Sequence, residues 1–218
     1  MNLIYSLTLI SAFLLMVFTL NLLQKYNLAE GETTRKIGHV VLGAILIVMP
    51  NLFCDLFFPV FTTLSITFII YIASKNNRLA CADNVDRHTY GTILFPIGVL
   101  ITYLFAYLFH RFDLFYISVL ILSLSDLAAA LMGKLSLKIQ CSPFYNINVN
   151  CYYKFKKTLS GSIVFMAVTI LILTCFRCSI LAIIFVSILI TILEFIAQKG
   201  MDNIYIPVIS FMLLYIIE

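Results

Sequence analysis

Apolar residues occur in runs long enough to cross a bilayer, divided by short polar breaks. A spanning helix needs about 20 mostly apolar residues. The first run extends from Asn2 to Leu23 without an internal charge. It has neither a basic leader nor a small-residue cleavage site, which predicts a retained helix and not a signal peptide. Further runs cover Ile37 to Phe53, Leu56 to Ala73, Gly91 to Phe109 and Leu114 to Met132. The last three cover Ser160 to Phe176, Ser179 to Ala197 and Ile204 to Ile217. Pro50 is placed to help end the second helix, and only Cys54 and Asp55 separate it from the third. The pattern predicts one all-α domain over residues 1–218, a polytopic membrane helix bundle. About eight transmembrane helices are expected, or seven, because two of the runs are short.

Composition supports this reading. Of 218 residues, 62% are hydrophobic and 11% charged, and the mean hydropathy is +1.07. A soluble domain carries about 25% charged residues, so too little polar surface remains to cover a water-soluble globule. The formal net charge of +4 does not point to nucleic acid, because most basic residues sit beside apolar runs. Anionic headgroups or phosphate-bearing substrates fit that placement.

The connections alternate: those after the first, third, fifth and seventh helices are longer and polar, the others tight. Of the 14 Lys and Arg residues, only Arg111 and Arg177 fall on the tight-turn side. The positive-inside bias then makes the other side cytoplasmic and both termini non-cytoplasmic. The longest connection, Gly133 to Lys157, is expected as a cytoplasmic loop. The six cysteines are scattered. Cys175 and Cys178 form a CxxC with no second pair, so they read as small apolar residues beside a turn, with no metal or redox role.

Ionisable groups at or inside the ends of spanning helices are costly and usually functional. Four clusters qualify, all on the cytoplasmic side. In the first, Arg35, His39 and Gly43 recur every four residues and share a helical face, with Lys36 beside them. In the second, Asp126, Ala129, Ala130 and Gly133 share a face ahead of Lys134. Small residues there admit another helix or a ligand, and the carboxylate needs Mg²⁺, a buried cation or a helix–helix ion pair. The third, Lys154-Phe155-Lys156-Lys157-Thr158-Leu159-Ser160-Gly161-Ser162, places hydroxyls, lysines and free backbone N–H groups at a helix N-terminus, where an anion can bind. Thr158 and the serines also suit ordinary capping. The fourth joins Glu194, inside the seventh helix, to Asp202 and Asn203 in the following turn. Asp83, Asp86, Arg87 and His88 add a weaker polar stretch, of which Arg87 is the strongest candidate. No GxSxG, HExxH or GxGxxG motif is present.

The order RKIGH, RHTYG, SDLAAALMGK, KTLSGS and E-x₅-GMDN-x₃-P resembles the CTP-dependent lipid-alcohol kinases, a family that includes dolichol kinase, phytol kinase, farnesol kinase and the yeast-type diacylglycerol kinase. The likeness runs from Arg35 to Pro207. Two of the motifs also resemble phosphatidate cytidylyltransferase, but the carboxylate-pair signature that follows in that family is replaced here by GMDNIYIP. The resemblance implies a CTP site made of Asp126, Gly133, Lys134, Lys157, Thr158, Gly161 and Ser162. Asp126 is expected to hold Mg²⁺ with Asp202 or Glu194. Arg35, Lys36, His39, Arg87 and Asn203 are expected to complete the polar site. Alanines stand where the family has glycine-rich spacing after the aspartate.

The expected activity is transfer of the CTP γ-phosphoryl group to the hydroxyl of a polyprenol or diacylglycerol at the cytoplasmic face. Asp126, Lys157, Asp202 and His39 are its candidate catalytic residues. The rival readings are CDP-lipid synthesis and a non-enzymatic membrane protein or transporter. The partners expected are the bilayer, a lipid alcohol and a nucleoside triphosphate, and no nucleic acid.

Overall fold

The structure is a computed structural model that describes residues 1–26, 31–75, 90–140 and 157–218, apart from the side chains of 137–140. It is all-α, and the five long apolar helices make the chain a multi-pass integral membrane protein. The long helices are α1 (Asn2–Lys25), α2 (Gly31–Leu52), α3 (Phe57–Lys75), α4 (Gly91–Phe109) and α5, which runs from Phe112 through Ser136. The three shorter apolar helices are α6 (Leu159–Cys175), α7 (Ile180–Ile196) and α8 (Asp202–Ile217).

The apolar runs form helices with large apolar side chains on both faces, and most of the hydroxyls that are buried lie on the inward face. In α1, the buried residues Ser6, Leu9, Phe13, Met16 and Leu20 alternate by three and four, a seam of heptad spacing. Leu7, Leu14, Leu15 and Phe18 of the same helix are exposed, as they must be if hydrocarbon is the solvent. Several buried hydroxyls find acceptors within their own helices. Thr62 donates to the Phe58 carbonyl (2.7 Å), Thr102 to Gly98 (2.8 Å) and Thr169 to Phe165 (2.9 Å). This back-bonding makes an inward hydroxyl tolerable where water is absent.

Two rings of four helices result. In one, α1 packs on α2 and α3, and α4 closes the ring against both. In the other, α5, α6, α7 and α8 pack each on the next, and α8 returns to α5. The rings join where α4 meets α8 and α2 meets α5. At the α4–α8 seam, Gly98 lies directly against the Asn203 carbonyl. That carbonyl has lost its usual donor four residues on, because residue 207 is proline. Only a residue without Cβ lets the two backbones come so near.

Several boundaries differ from the sequence expectation. Helix α2 begins six residues before its apolar run, so Arg35 and Lys36 are buried within a helix. It breaks at Val48, with Pro50 in the first turn of the short Met49–Leu52 segment. Helix α5 continues to Gln140. The first part of the expected 133–157 loop is therefore helical, and 141–156 lies outside the described residues. Asp202 and Asn203 are the first two residues of α8, not part of a turn. A π-helical turn, Ile121–Ser125, interrupts α5 just before Asp126. Cys175 and Cys178 are free thiols at the α6–α7 turn.

Substituting Gly98→Ala drives a methyl group into the Asn203 backbone. The expected cost is about 1–3 kcal/mol, read as a lowered thermal unfolding midpoint of the detergent-purified protein.

Candidate functional site

The polar helix ends meet at one end of the bundle. They are the starts of α2, α4, α6 and α8 and the ends of α5 and α7.

The first pair is Lys36 with Asp126. Lys36 Nζ donates to Asp126 Oδ2, and the two side chains are 9% and 7% exposed. The π turn adds a residue to α5, which rotates everything after it by about a quarter turn. Gly43 of α2 packs against Ser123 inside that turn, so α2 sits close enough for Lys36 to reach the carboxylate. The sequence sets Lys36 beside the Arg35–His39 face and does not by itself pair it with Asp126. The available signal was the need of a buried aspartate for a cation, one of the alternatives for that cluster.

The second group centres on Lys157, just ahead of α6. Its Nζ lies 2.7 Å from Glu194 Oε1 and 3.2 Å from Asp202 Oδ2, and it also donates to the Glu194 main-chain carbonyl. Ser162 Oγ donates to the other Glu194 oxygen at 3.3 Å. One lysine thus ties α6 to the C-terminal end of α7 and the N-terminal end of α8. Both helix dipoles favour this arrangement, with a cation at a C-terminus and a carboxylate in a first turn. Burial pulls the Lys157 ammonium down, but Asp202 and Glu194 outweigh it and hold its pKa above the ordinary lysine value. Asp126 also lies within electrostatic reach of Lys157, which brings the two groups into one neighbourhood.

The α5–α6 contact uses the small residues. A Cβ on Gly161 would lie 2.9 Å from the Ala129 carbonyl oxygen, and one on Gly133 would lie 2.8 Å from Thr158 Oγ1. Thr158 caps α6, accepting from the Gly161 N–H at 3.2 Å, and Ser160 donates to Ser136 at 2.9 Å. The small face below Asp126 is therefore filled by the N-terminus of α6. Lys134 reaches Thr33 on α2 at 3.3 Å.

The other half contributes Arg35, His39 and Gly91. Asn203 Nδ2 donates to the Gly91 carbonyl at 3.1 Å and to the Gly200 carbonyl at 3.2 Å. Gly200, at φ +88°, sits against the Gly91 backbone, and the Arg35 guanidinium is beside the same glycine. His39 is 3% exposed and stacks on Phe95, ring centroids 4.7 Å apart. Neither of its ring nitrogens has a hydrogen-bond partner among the described residues. Arg87, with Asp83, Asp86 and His88, lies outside the described residues.

No protein-family model, no curated protein and no solved structure matches this chain. The lipid-kinase resemblance therefore rests on the sequence motifs alone.

As to metal, no group of three or more His, Cys, Asp or Glu side chains assembles among the described residues. Asp126, the expected principal ligand, faces Lys36. Glu194 and Asp202 do flank a single cationic centre, the Lys157 ammonium. Mg²⁺ ordinarily takes only one or two carboxylates and completes its shell with phosphate oxygens and water. Two carboxylates around one cation position fit that donor set.

Truncating Lys36→Met leaves the Asp126 carboxylate buried without its cation. The expected cost is about 3–5 kcal/mol, recovered in part by the double variant Lys36→Met, Asp126→Leu and measured by thermal unfolding. For Lys157, a pKa raised on folding means that its contribution is complete below the ordinary value of 10.5 and is lost as pH climbs through the folded value. The difference in unfolding midpoint between the wild type and Lys157→Met is expected to be flat through neutral pH and to shrink only above 10.5.

Proposed function

We propose that the protein is a CTP-dependent kinase of a membrane lipid alcohol, either a polyprenol such as dolichol, phytol or farnesol, or diacylglycerol. In this reading all eight helices span the bilayer, both termini are non-cytoplasmic and the polar end faces the cytoplasm. One observation carries the proposal. Lys36, Asp126, Lys157, Glu194 and Asp202, drawn from four of the five motifs, are joined in two neighbouring ion-pair groups, the first buried and the second partly buried.

Buried carboxylates keep the lysines in place while no nucleotide is bound. A triphosphate then takes over the cations, exchanging carboxylate–ammonium contacts for phosphate–ammonium contacts. Lys36, Lys134 and Lys157 neutralise the phosphate oxygens, with Arg35 adding charge from the α4 side. Phosphoryl transfer needs chiefly positioning and charge stabilisation, and this residue set supplies both. As the alcohol oxygen forms its bond to the γ-phosphorus, the bond from that phosphorus to the β–γ bridging oxygen breaks and CDP leaves. The hydroxyl proton passes to a carboxylate, with Asp126 and Asp202 as the candidates. Mg²⁺, held by Glu194 and Asp202 with Asp126 nearby, supplies further neutralisation of the triphosphate when bound. In this reading Thr158, Gly161, Ser162, Gly133 and Asn203 belong to the nucleotide site, and Arg87 belongs to the same motif set.

The test is incubation of purified protein with γ-labelled CTP or ATP and a panel of lipid alcohols. Labelled lipid phosphate with CDP is the expected product, whereas pyrophosphate with a CDP-lipid would establish the cytidylyltransferase chemistry instead. No nucleotide consumption with any alcohol would remove the enzymatic reading. Asp126→Asn is expected to lower turnover by about 10²–10³-fold while eluting as a folded protein. Near-normal turnover by that variant would take Asp126 out of the chemistry.

A further inference from the structure

The helices of the bundle differ in length, and the short ones stand together. At 1.5 Å per residue, α1 with 24 residues and α2 with 22 reach about 36 and 33 Å. Helices α6 and α7, with 17 residues each, reach about 25 Å, and α8, with 16, about 24 Å. The hydrocarbon of an ordinary bilayer is about 30 Å deep. A helix too long for its bilayer tilts to fit, whereas tilt shortens the span of a short helix further, so thinner lipid relieves it. The short helices therefore set the thickness that this protein fits.

Further observations give the same dimension. The outward side of α7 is apolar and exposed from Ile180 to Ile196, about 24 Å, and the exposed cations Arg177 and Lys199 lie beyond its two ends. The exposed tyrosines of α8, Tyr205 and Tyr215, are about 15 Å apart along the helix axis, and phenol rings favour the two membrane interfaces. The ionised groups form one layer at a matching height. Asp126 is about 21 Å beyond the start of α5, although that helix continues to Gln140. Lys36 is about 24 Å from the Leu52 end of α2, Glu194 about 21 Å from Ile180 and Asp202 about 22 Å from Ile217. Hydrocarbon about 30 Å deep would submerge that layer, and hydrocarbon about 25 Å deep ends close to it.

We infer that the α6–α8 side of the bundle is a surface for thin lipid, with hydrocarbon about 25 Å deep. Its partners there are phospholipids with short acyl chains. The headgroup layer then lies level with the ion pairs, and water and dissolved anions reach Lys36 and Lys157 without crossing hydrocarbon. The inference rests on the reading in which all eight helices span the bilayer, and it holds whether or not phosphate is transferred.

The test uses the full chain, without nucleotide, in nanodiscs of dimyristoleoyl, dioleoyl or dierucoyl phosphatidylcholine, whose chains lengthen in that order. The unfolding midpoint is expected to be highest in the dimyristoleoyl discs and about 5 °C lower in the dierucoyl discs. A midpoint that is the same in all three, or highest in a longer-chain lipid, overturns the inference. The exposed free thiols Cys54, between α2 and α3, and Cys175, at the end of α6, then report where the mismatch falls. Their reaction with a water-soluble maleimide is followed by peptide mapping. From dimyristoleoyl to dierucoyl discs, Cys175 is expected to slow about threefold more than Cys54, because the helices that carry it are shorter. Equal change at the two thiols overturns the assignment to the α6–α8 side. The topology is tested separately, in sealed vesicles and in a chain that keeps only Cys54 and Cys175 as cysteines. Saturating impermeant maleimide is expected to modify both thiols of a molecule or neither. Molecules modified at one thiol alone would defeat the eight-span reading. None of these measurements involves nucleotide, so failure of the kinase proposal leaves them standing.

Discussion

Placing an ionised group away from water costs several kcal/mol, even in a relaxed protein, and this chain places at least five wholly or partly out of water within or beside apolar helices. The Lys36–Asp126 pair and the Lys157–Glu194–Asp202 group resolve that cost by mutual neutralisation. Each partner comes from a different helix, so the requirement to pair charges becomes a requirement on helix placement. Helix α2 must approach α5 closely enough for an ammonium to reach a carboxylate. The ends of α7 and α8 must converge on the residue that opens α6. Much of the remaining structure serves these approaches. Gly43 lies against the π turn, Gly133 and Gly161 bring α5 to α6, and Gly98 brings α4 to α8.

The same electrostatic arrangement links fold to proposed chemistry. A carboxylate that holds a lysine in a low-dielectric site also keeps that lysine oriented for an incoming anion. In the proposed reaction the cations need no recruitment from solvent, because they are already held in place by carboxylates. Preorganisation of this kind is the main contribution a protein makes to phosphoryl transfer. Most of the ion-paired residues lie on or beside α5 to α8, and a small apolar cleft lies among α1 to α4. Lys36 and His39, on α2, stand at the junction.

Much of the fold was legible in the chain because the bilayer imposes a simple length rule. Each of the eight apolar runs has a helix in the structure, and the run from Gly91 to Phe109 has the same ends. The errors have physical causes. Helix α2 extends back through Glu32, Thr33 and Thr34, polar residues that a hydropathy run cannot include but that tertiary packing keeps helical. Helix α5 likewise runs past Met132, since Lys134 and Ser136 find partners in Thr33 and Ser160. Asp202 and Asn203 looked like turn residues, yet a carboxylate suits the first turn of a helix equally well.

Composition and periodicity alone determined that this is a helical membrane protein with its ionisable groups at helix ends, because hydrocarbon admits little else. They also nominated the carboxylates, since a buried aspartate or glutamate is conspicuous in an apolar run. They did not determine which cation meets which carboxylate. Lys36 lies 90 positions from Asp126, and no local pattern encodes a contact at that separation. Nor did they reveal the π turn that aims Asp126, or the cleft beside His39. Those are products of how eight helices pack, and packing is decided by close approaches between backbones that only the assembled bundle contains.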